Sequence, residues 1–218
     1  MCRRGAHVVA GCRDVEGGRE EASAVVGGVG GEITCLHLDT SLVASVRKFA
    51  EDFKALGVPL HALINAAAVM ACPFGQTREG NELQFATNHL GHFHLTNLLL
   101  PALEATAAAS GGSWEGRVVN VSCMNHYFCY RGQARTKGVR LRTVNSPQGY
   151  SPWLAYGQSK LCNVLHTRAL AQRLRARGSP VVATCANPGA CLSGLHKHLG
   201  YAAGGWQGAL VRWGQAAR

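Results

Sequence analysis

Arg117-Val118-Val119-Asn120-Val121-Ser122 is a near-continuous run of strand-forming residues. A strand with one face in water alternates apolar and polar side chains, whereas a run this apolar marks a strand covered on both faces, as in a parallel sheet flanked by helices. The same signal recurs on either side, with helical segments between. His7-Val8-Val9-Ala10-Gly11-Cys12 reads as a short buried strand, and Asp14 caps a helical segment reaching about Val26. Gly27-Gly28-Val29-Gly30-Gly31 lies between helix and strand. A phosphate loop must run from strand into helix, so this cluster reads as a turn. Glu32 to Leu38 is a second strand. Ser41 is expected to cap an amphipathic helix with Leu42, Val46, Phe49, Phe53 and Leu56 on one stripe, stopped by Gly57 and Pro59. Leu60 to Asn65 is a third strand, followed by a helix from about Asn81 to Leu100. Beyond Ser122 a loop of roughly 30 residues leads to a helix from Ala155 to Arg177, ended by Gly178. Val181 to Ala186 is a fifth strand, running into Asn187-Pro188-Gly189. Repeated alternation of strand and helix specifies an α/β fold, a doubly wound parallel sheet in a single domain.

The chain has 218 residues, 47% of them hydrophobic and 16% charged, which suffices for one domain with a sizeable core. The most apolar stretch, Leu95 to Ala109, is interrupted by Thr96, Asn97, Pro101, Glu104 and Thr106. It therefore reads as a buried helix, and no transmembrane segment is expected. Met1-Cys2-Arg3-Arg4-Gly5 has no apolar segment behind it long enough for a signal peptide. None of the nine cysteines has the two-residue spacing of common zinc and redox sites. They read as reduced thiols, and the expected location is cytoplasmic, or an organelle if a further N-terminal segment exists. The net charge of +10 raises the question of a polyanion partner. Arg131, Arg135, Lys137, Arg140 and Arg142 form an acid-free stretch, but only Tyr130 accompanies them as an aromatic. A solvated basic insertion, about residues 129–150, is the preferred reading, and nucleic acid is not an expected partner. His89 and His92 stand three apart on a helix, yet no carboxylate or cysteine joins them at ligand spacing, so no metal is expected.

Tyr156-Gly157-Gln158-Ser159-Lys160 places a phenol and an amine one helical turn apart on one face. A free tyrosine titrates near ~10. A nearby ammonium favours the phenolate and is expected to pull that value toward neutrality. Such a pair can give a proton to a carbonyl oxygen, or take one from an alcohol.

Six segments, taken in order, resemble the short-chain dehydrogenase/reductase family and, within it, the retinol-dehydrogenase-like branch. They are His7 to Asp14, Leu63-Ile64-Asn65-Ala66-Ala67-Ala68-Val69-Met70, Thr87-Asn88-His89-Leu90-Gly91-His92-Phe93, Arg117 to Ser122, Tyr156 to Lys160, and Asn187-Pro188-Gly189. The resemblance implies a Rossmann-like fold and an oxidoreductase that interconverts a carbonyl and an alcohol of a lipophilic small molecule, such as a retinoid, steroid or fatty aldehyde. Tyr156 would be the general acid/base, Lys160 would tune it and bond the nicotinamide ribose, and Asn88 would anchor a proton-relay water. Asn65 and Asp39 would lie by the cofactor, Asp39 at its adenine end. Pro188 and Gly189 would lie against the nicotinamide ring, and Ser193 near the cofactor's amide or phosphates. Arg13 stands where an acidic residue would grip the ribose hydroxyls of NAD, so NADP is favoured over NAD. A homo-oligomer is compatible with the family.

Departures from the family pattern are expected to matter. The catalytic serine falls on Cys123, a weaker donor, while Ser122 should point to the opposite face of its strand. Ala66 and Ala68 stand where the family carries asparagine and glycine. No strand with a glycine-rich turn precedes His7, so the first strand and phosphate loop of the fold are expected to be lacking, with two inner strand edges unpaired and the core split. Residues 1–198 would thus be an incomplete NAD(P)-binding domain and residues 199–218 part of a substrate lid or a tail. A fragment, or a catalytically inactive binding or regulatory protein, is the alternative reading.

Overall fold

Each apolar run becomes a parallel strand, in a computed structural model that describes residues 2–26, 31–130, 138–189 and 195. β1 (His7–Cys12) pairs with β2 (Glu32–His37), from His7 opposite Glu32 to Cys12 opposite His37. β3 (Ala62–Asn65), β4 (Gly116–Val121) and β5 (Val181–Ala186) form a second group in that order, also parallel. Asn65 stands opposite Asn120, and Val118 opposite Ala183. Among the described residues no strand joins β1 to β3, so the sheet is in two parts and both strands keep one unpaired edge.

The core is nonetheless continuous, which corrects the expected split. α2 (Val43–Ala55) buries Val46, Phe49, Ala50 and Phe53. α4 (Gly91–Ala109) buries Leu95, Leu99, Leu103 and Ala107, a stripe recurring every fourth residue. These side chains pack with Leu63, Val118, Leu170, Leu174 and Val181 beneath the larger group of strands, and Val9, Leu36 and Leu38 of the smaller group lean on the same cluster. The helices thus carry apolar contact across the interruption that backbone pairing leaves. Each leucine buried this fully contributes roughly 1.5–3 kcal/mol.

Helix boundaries depart from the sequence expectations where side chains find other partners. Ser41 does not cap α2, because its N–H and hydroxyl both bond Asp39 Oδ1, at 2.8 and 2.6 Å. The helix starts instead at Val43, whose N–H donates to Glu79 Oε1 at 3.2 Å. The central helix begins as a short α3 (Leu83–Phe85), where the Glu82 carboxylate accepts the N–H groups of Gln84 and Phe85. It passes through a π-turn at Ala86–Leu90 and continues as α4 to Ala109, beyond the expected end near Leu100. Pro101 lies within it, and the buried stripe on both sides holds the helix through that position. At Gly91 a Cβ would lie 2.0 Å from Thr40 O, so only glycine lets the loop after β2 rest on this helix. α1 (Val15–Val26) follows β1, with Asp14 Oδ1 accepting the Gly17 N–H. α5 (Pro152–Ala176) begins earlier than expected, with proline in its first turn, where the missing N–H costs nothing.

Candidate active site

The carboxyl ends of β3, β4 and β5 converge on the first turns of α5, the side of an open α/β sheet where ligands bind. α5 carries Tyr156 and Lys160, both buried, at 3% and 2% exposure. Lys160 Nζ donates to Val121 O at 3.1 Å and lies 5.7 Å from the centroid of the Tyr156 ring. Past the end of β4, successive side chains point opposite ways, as the two-residue period of a strand requires. Ser122 Oγ turns back to donate to Lys160 O at 3.0 Å, whereas Cys123 Sγ faces Tyr156 Oη at 3.6 Å. The thiol, not the hydroxyl, stands beside the phenol. A short turn, Met124–Tyr127, carries the chain away from it and seats on α5 at Gly157, where a Cβ would lie 2.2 Å from Phe128 O.

The electrostatics reverse the sequence expectation for Tyr156. Burial raises its pKa well above the usual phenol range, and the adjacent Cys123 adds to the rise. Burial lowers the pKa of Lys160, with Cys123 and Cys185 opposing. Spacing along the helix promised an ammonium that stabilises phenolate. In the folded chain desolvation dominates instead, and the phenolate is disfavoured further than in free tyrosine.

Asn88 sits fully buried inside the π-turn, a distortion frequent at functional sites. Its Oδ1 accepts the Val69 N–H at 2.8 Å, while Nδ2 donates to Val69 O at 2.9 Å and to Ser159 Oγ at 3.0 Å. Its main-chain carbonyl accepts from Asn163 Nδ2 at 2.9 Å. The amide therefore clamps the strand that leaves β3. Asn65, expected by the cofactor, points into the core instead. Its Nδ2 donates to Thr96 Oγ1 at 3.0 Å and to Asn120 Oδ1 at 2.8 Å, and Asn120 Nδ2 donates on to Thr167 Oγ1 at 2.9 Å. This row of amides ties β3 to β4 and to both flanking helices. Arg13 is exposed just past β1, and Asp39 is half-buried past β2 with its carboxylate engaged by Ser41. Pro188 and Gly189 are exposed past β5, Gly189 at φ +74° with its N–H bonded to Asn187 Oδ1. Ser193 lies outside the described residues. His89 and His92 are packed inside rather than gathered as ligands. His89 Nδ1 meets Asn163 Oδ1 at 3.0 Å, and burial pushes His92 down to about 3.

Sequence reasoning anticipated Cys123 beside the phenol but missed the other residues that surround it. Met70 and Ala71 pack against the Tyr156 ring, with Cys123, Trp153 and Leu195 at the margin. Gln84 and Tyr150 hold that packing from behind. A glutamine in a helix is ordinarily solvated, and nothing local marked this one.

A family model described as short chain dehydrogenase matches residues 1–135. The short-chain dehydrogenase TIC 32 B, chloroplastic, of Brassica napus is 42% identical over 198 residues, covering 90% of this chain and 60% of the relative. Retinol dehydrogenase 12 of Homo sapiens is 41% identical over 199 residues, covering 91% of this chain and 58% of the relative. A solved structure of a protein from Mycobacterium paratuberculosis superposes with a TM-score of 0.69 at 41% identity, covering 90% of this chain and 63% of the other. The chain thus spans about three fifths of the length of the curated relatives it matches.

Proposed function

We propose that this chain, which belongs to the short-chain dehydrogenase family, interconverts a carbonyl and an alcohol of a lipophilic substrate, such as a retinoid, steroid or fatty aldehyde, with NADP. What carries this reading is the placement of Cys123, Tyr156 and Lys160 together at the carboxyl end of a parallel sheet. A phenol whose pKa burial raises is a weaker acid than free tyrosine, so the proton transfer this reading assigns to Tyr156 rests on where its hydroxyl stands rather than on its acidity. Positioned proton transfer of this kind contributes roughly 10²–10⁴-fold to a rate. Cys123 Sγ–H is placed to give a second, weaker hydrogen bond to the same oxygen.

The family's cofactor is a nicotinamide dinucleotide, and the ends of β3 and β5 suit its nicotinamide end, while among the described residues no strand with a glycine-rich turn stands between β1 and β3 to cradle its pyrophosphate. Ala66, Ala67, Pro188 and Gly189 leave the edge uncovered with small side chains, and Lys160 brings a three-donor ammonium to it. Arg13, Asp39, Lys160, Pro188, Gly189 and Ser193 are the residues proposed to hold it. When bound, it supplies or takes up the hydride. The exposed Arg13 guanidinium supports NADP, since a planar fork of donors suits a 2′-phosphate. The likeness to retinol dehydrogenase 12 supports a lipophilic substrate.

NADPH oxidation by the purified chain with all-trans-retinal, and with a medium-chain aldehyde, tests the proposal. Turnover that Tyr156→Phe abolishes is the expected result, and turnover unchanged by that substitution would refute it. A second reading, a binding or regulatory protein without activity, is favoured by the thiol at position 123 and the methyl of Ala68. NADPH binding with no turnover on any carbonyl would support it. No disulfide joins the described cysteines, which supports a reducing compartment such as the cytosol, with an organelle as the alternative given the chloroplastic relative.

A further inference from the structure

We propose that Gln84 is a positioning residue that fixes Tyr156 by tying together the two backbone segments between which the phenol is packed. Gln84 is fully buried. Its Oε1 accepts the Ala71 N–H at 2.9 Å, on the segment whose Met70 and Ala71 press on the Tyr156 ring. Its Nε2 donates to Pro152 O at 2.9 Å, in the turn of α5 that precedes Tyr156. The same nitrogen donates to Tyr150 Oη at 2.7 Å, and Tyr150 Oη donates to Cys72 O at 2.9 Å. One amide therefore holds the packing surface and the helix start in a single register, and a hydroxyl closes the loop between them. Only a group that both accepts and donates can do this. A carboxylate lacks the donor, and a methionine lacks the donor and accepts only weakly through its sulfur.

Backbone strain points the same way. Ala71 has φ +52°, the sole positive φ at a non-glycine position among the described residues, and it is completely buried. A side chain disfavours that conformation, which persists only where surroundings over-determine it. Here Asn88 grips Val69 through both its N–H and its carbonyl, Gln84 grips Ala71, and Tyr150 grips Cys72. Three successive clamps hold a strained segment against the catalytic ring.

The inference rests on Tyr156 as the proton carrier, and its test separates the two claims. In protein labelled with ¹³C at the tyrosine ring, Tyr156→Phe identifies the Tyr156 resonance. Gln84→Met should fold yet shift or broaden that resonance, and should lower kcat by about 100-fold, with KM changed less than about threefold. Adding Ala71→Gly should restore most of kcat and return the resonance, because glycine takes a positive φ without a clamp. Should Gln84→Met not fold, Tyr150→Phe, which removes only the closing hydroxyl, should move the same resonance. An unmoved Tyr156 resonance in either folded variant overturns the proposal, and so does a double variant no better than Gln84→Met. If the unsubstituted chain shows no turnover, the functional reading fails while the resonance still decides for Gln84.

Discussion

Replacing Asn65 with leucine should weaken the fold by about 2 kcal/mol. The side chain is 2% exposed and donates to Thr96 Oγ1 at 3.0 Å and Asn120 Oδ1 at 2.8 Å. Two neutral buried hydrogen bonds are together worth ~2 kcal/mol, and leaving Asn120 Oδ1 without a partner adds ~1 kcal/mol. Thr96 suffers less, because its hydroxyl keeps its own bond to His92 O. Against these costs, Asn65 Oδ1 is buried with no partner among the described residues, and removing it returns ~1 kcal/mol. For a chain of this size that net loss lowers the melting temperature by roughly 4–8 °C. Urea and thermal unfolding followed by far-ultraviolet circular dichroism measure it. Asn65→Leu combined with Asn120→Leu should cost less than the two single variants summed, because no amide of the pair is then stranded. A single-variant loss below ~0.5 kcal/mol, or simple additivity of the pair, would show that this row of amides does not tie β3 to β4.

Cys123→Ser should raise kcat for carbonyl reduction, because a hydroxyl is a stronger hydrogen-bond donor than the thiol that stands beside Tyr156 Oη, and steady-state NADPH oxidation measures it. A lowered or unchanged kcat contradicts the assigned contact. His92 is 2% exposed, with its pKa pushed down to about 3 from an unfolded value near ~6.5. Its contribution to stability is therefore complete above that unfolded value and is lost as pH falls toward the folded one, by roughly 1.4 kcal/mol per unit. Between pH 7 and 5 the chain should lose about 2 kcal/mol more than His92→Leu does, and equal losses in urea melts would disprove the coupling. Gly91→Ala should cost about 1–3 kcal/mol through overpacking, since its methyl would meet Thr40 O. An unaltered melting temperature would mean that the loop yields freely.

β1 and β5 occupy the residues that the sequence marks, because paired valines are a local strand signal, but neither is covered on both faces: β1 has no fully buried residue and β5 is exposed from Thr184 to Ala186. The ends of α2 and α4 were less legible. Ser41 has the chemistry of a cap, but Asp39 engages it first, and α4 outruns its expected end because Leu103 and Ala107 extend the buried stripe. At the site, the Tyr156–Lys160 spacing was readable, since a helical turn sets it. So was the opposition of Ser122 and Cys123, since strand side chains alternate. The clamp was not readable: the partners of Gln84 lie 13, 66 and 68 positions away.

The sequence by itself determined the order of strands and helices, the family, and which side chains share a helical turn or a strand face, because each depends on neighbours a few residues apart. Tertiary structure alone decided that Tyr156 is buried and its phenolate further disfavoured, that Asn65 serves the core, and that Ala71 is held in a left-handed turn. Desolvation and amide pairing across distant segments arise only once the chain has packed around them.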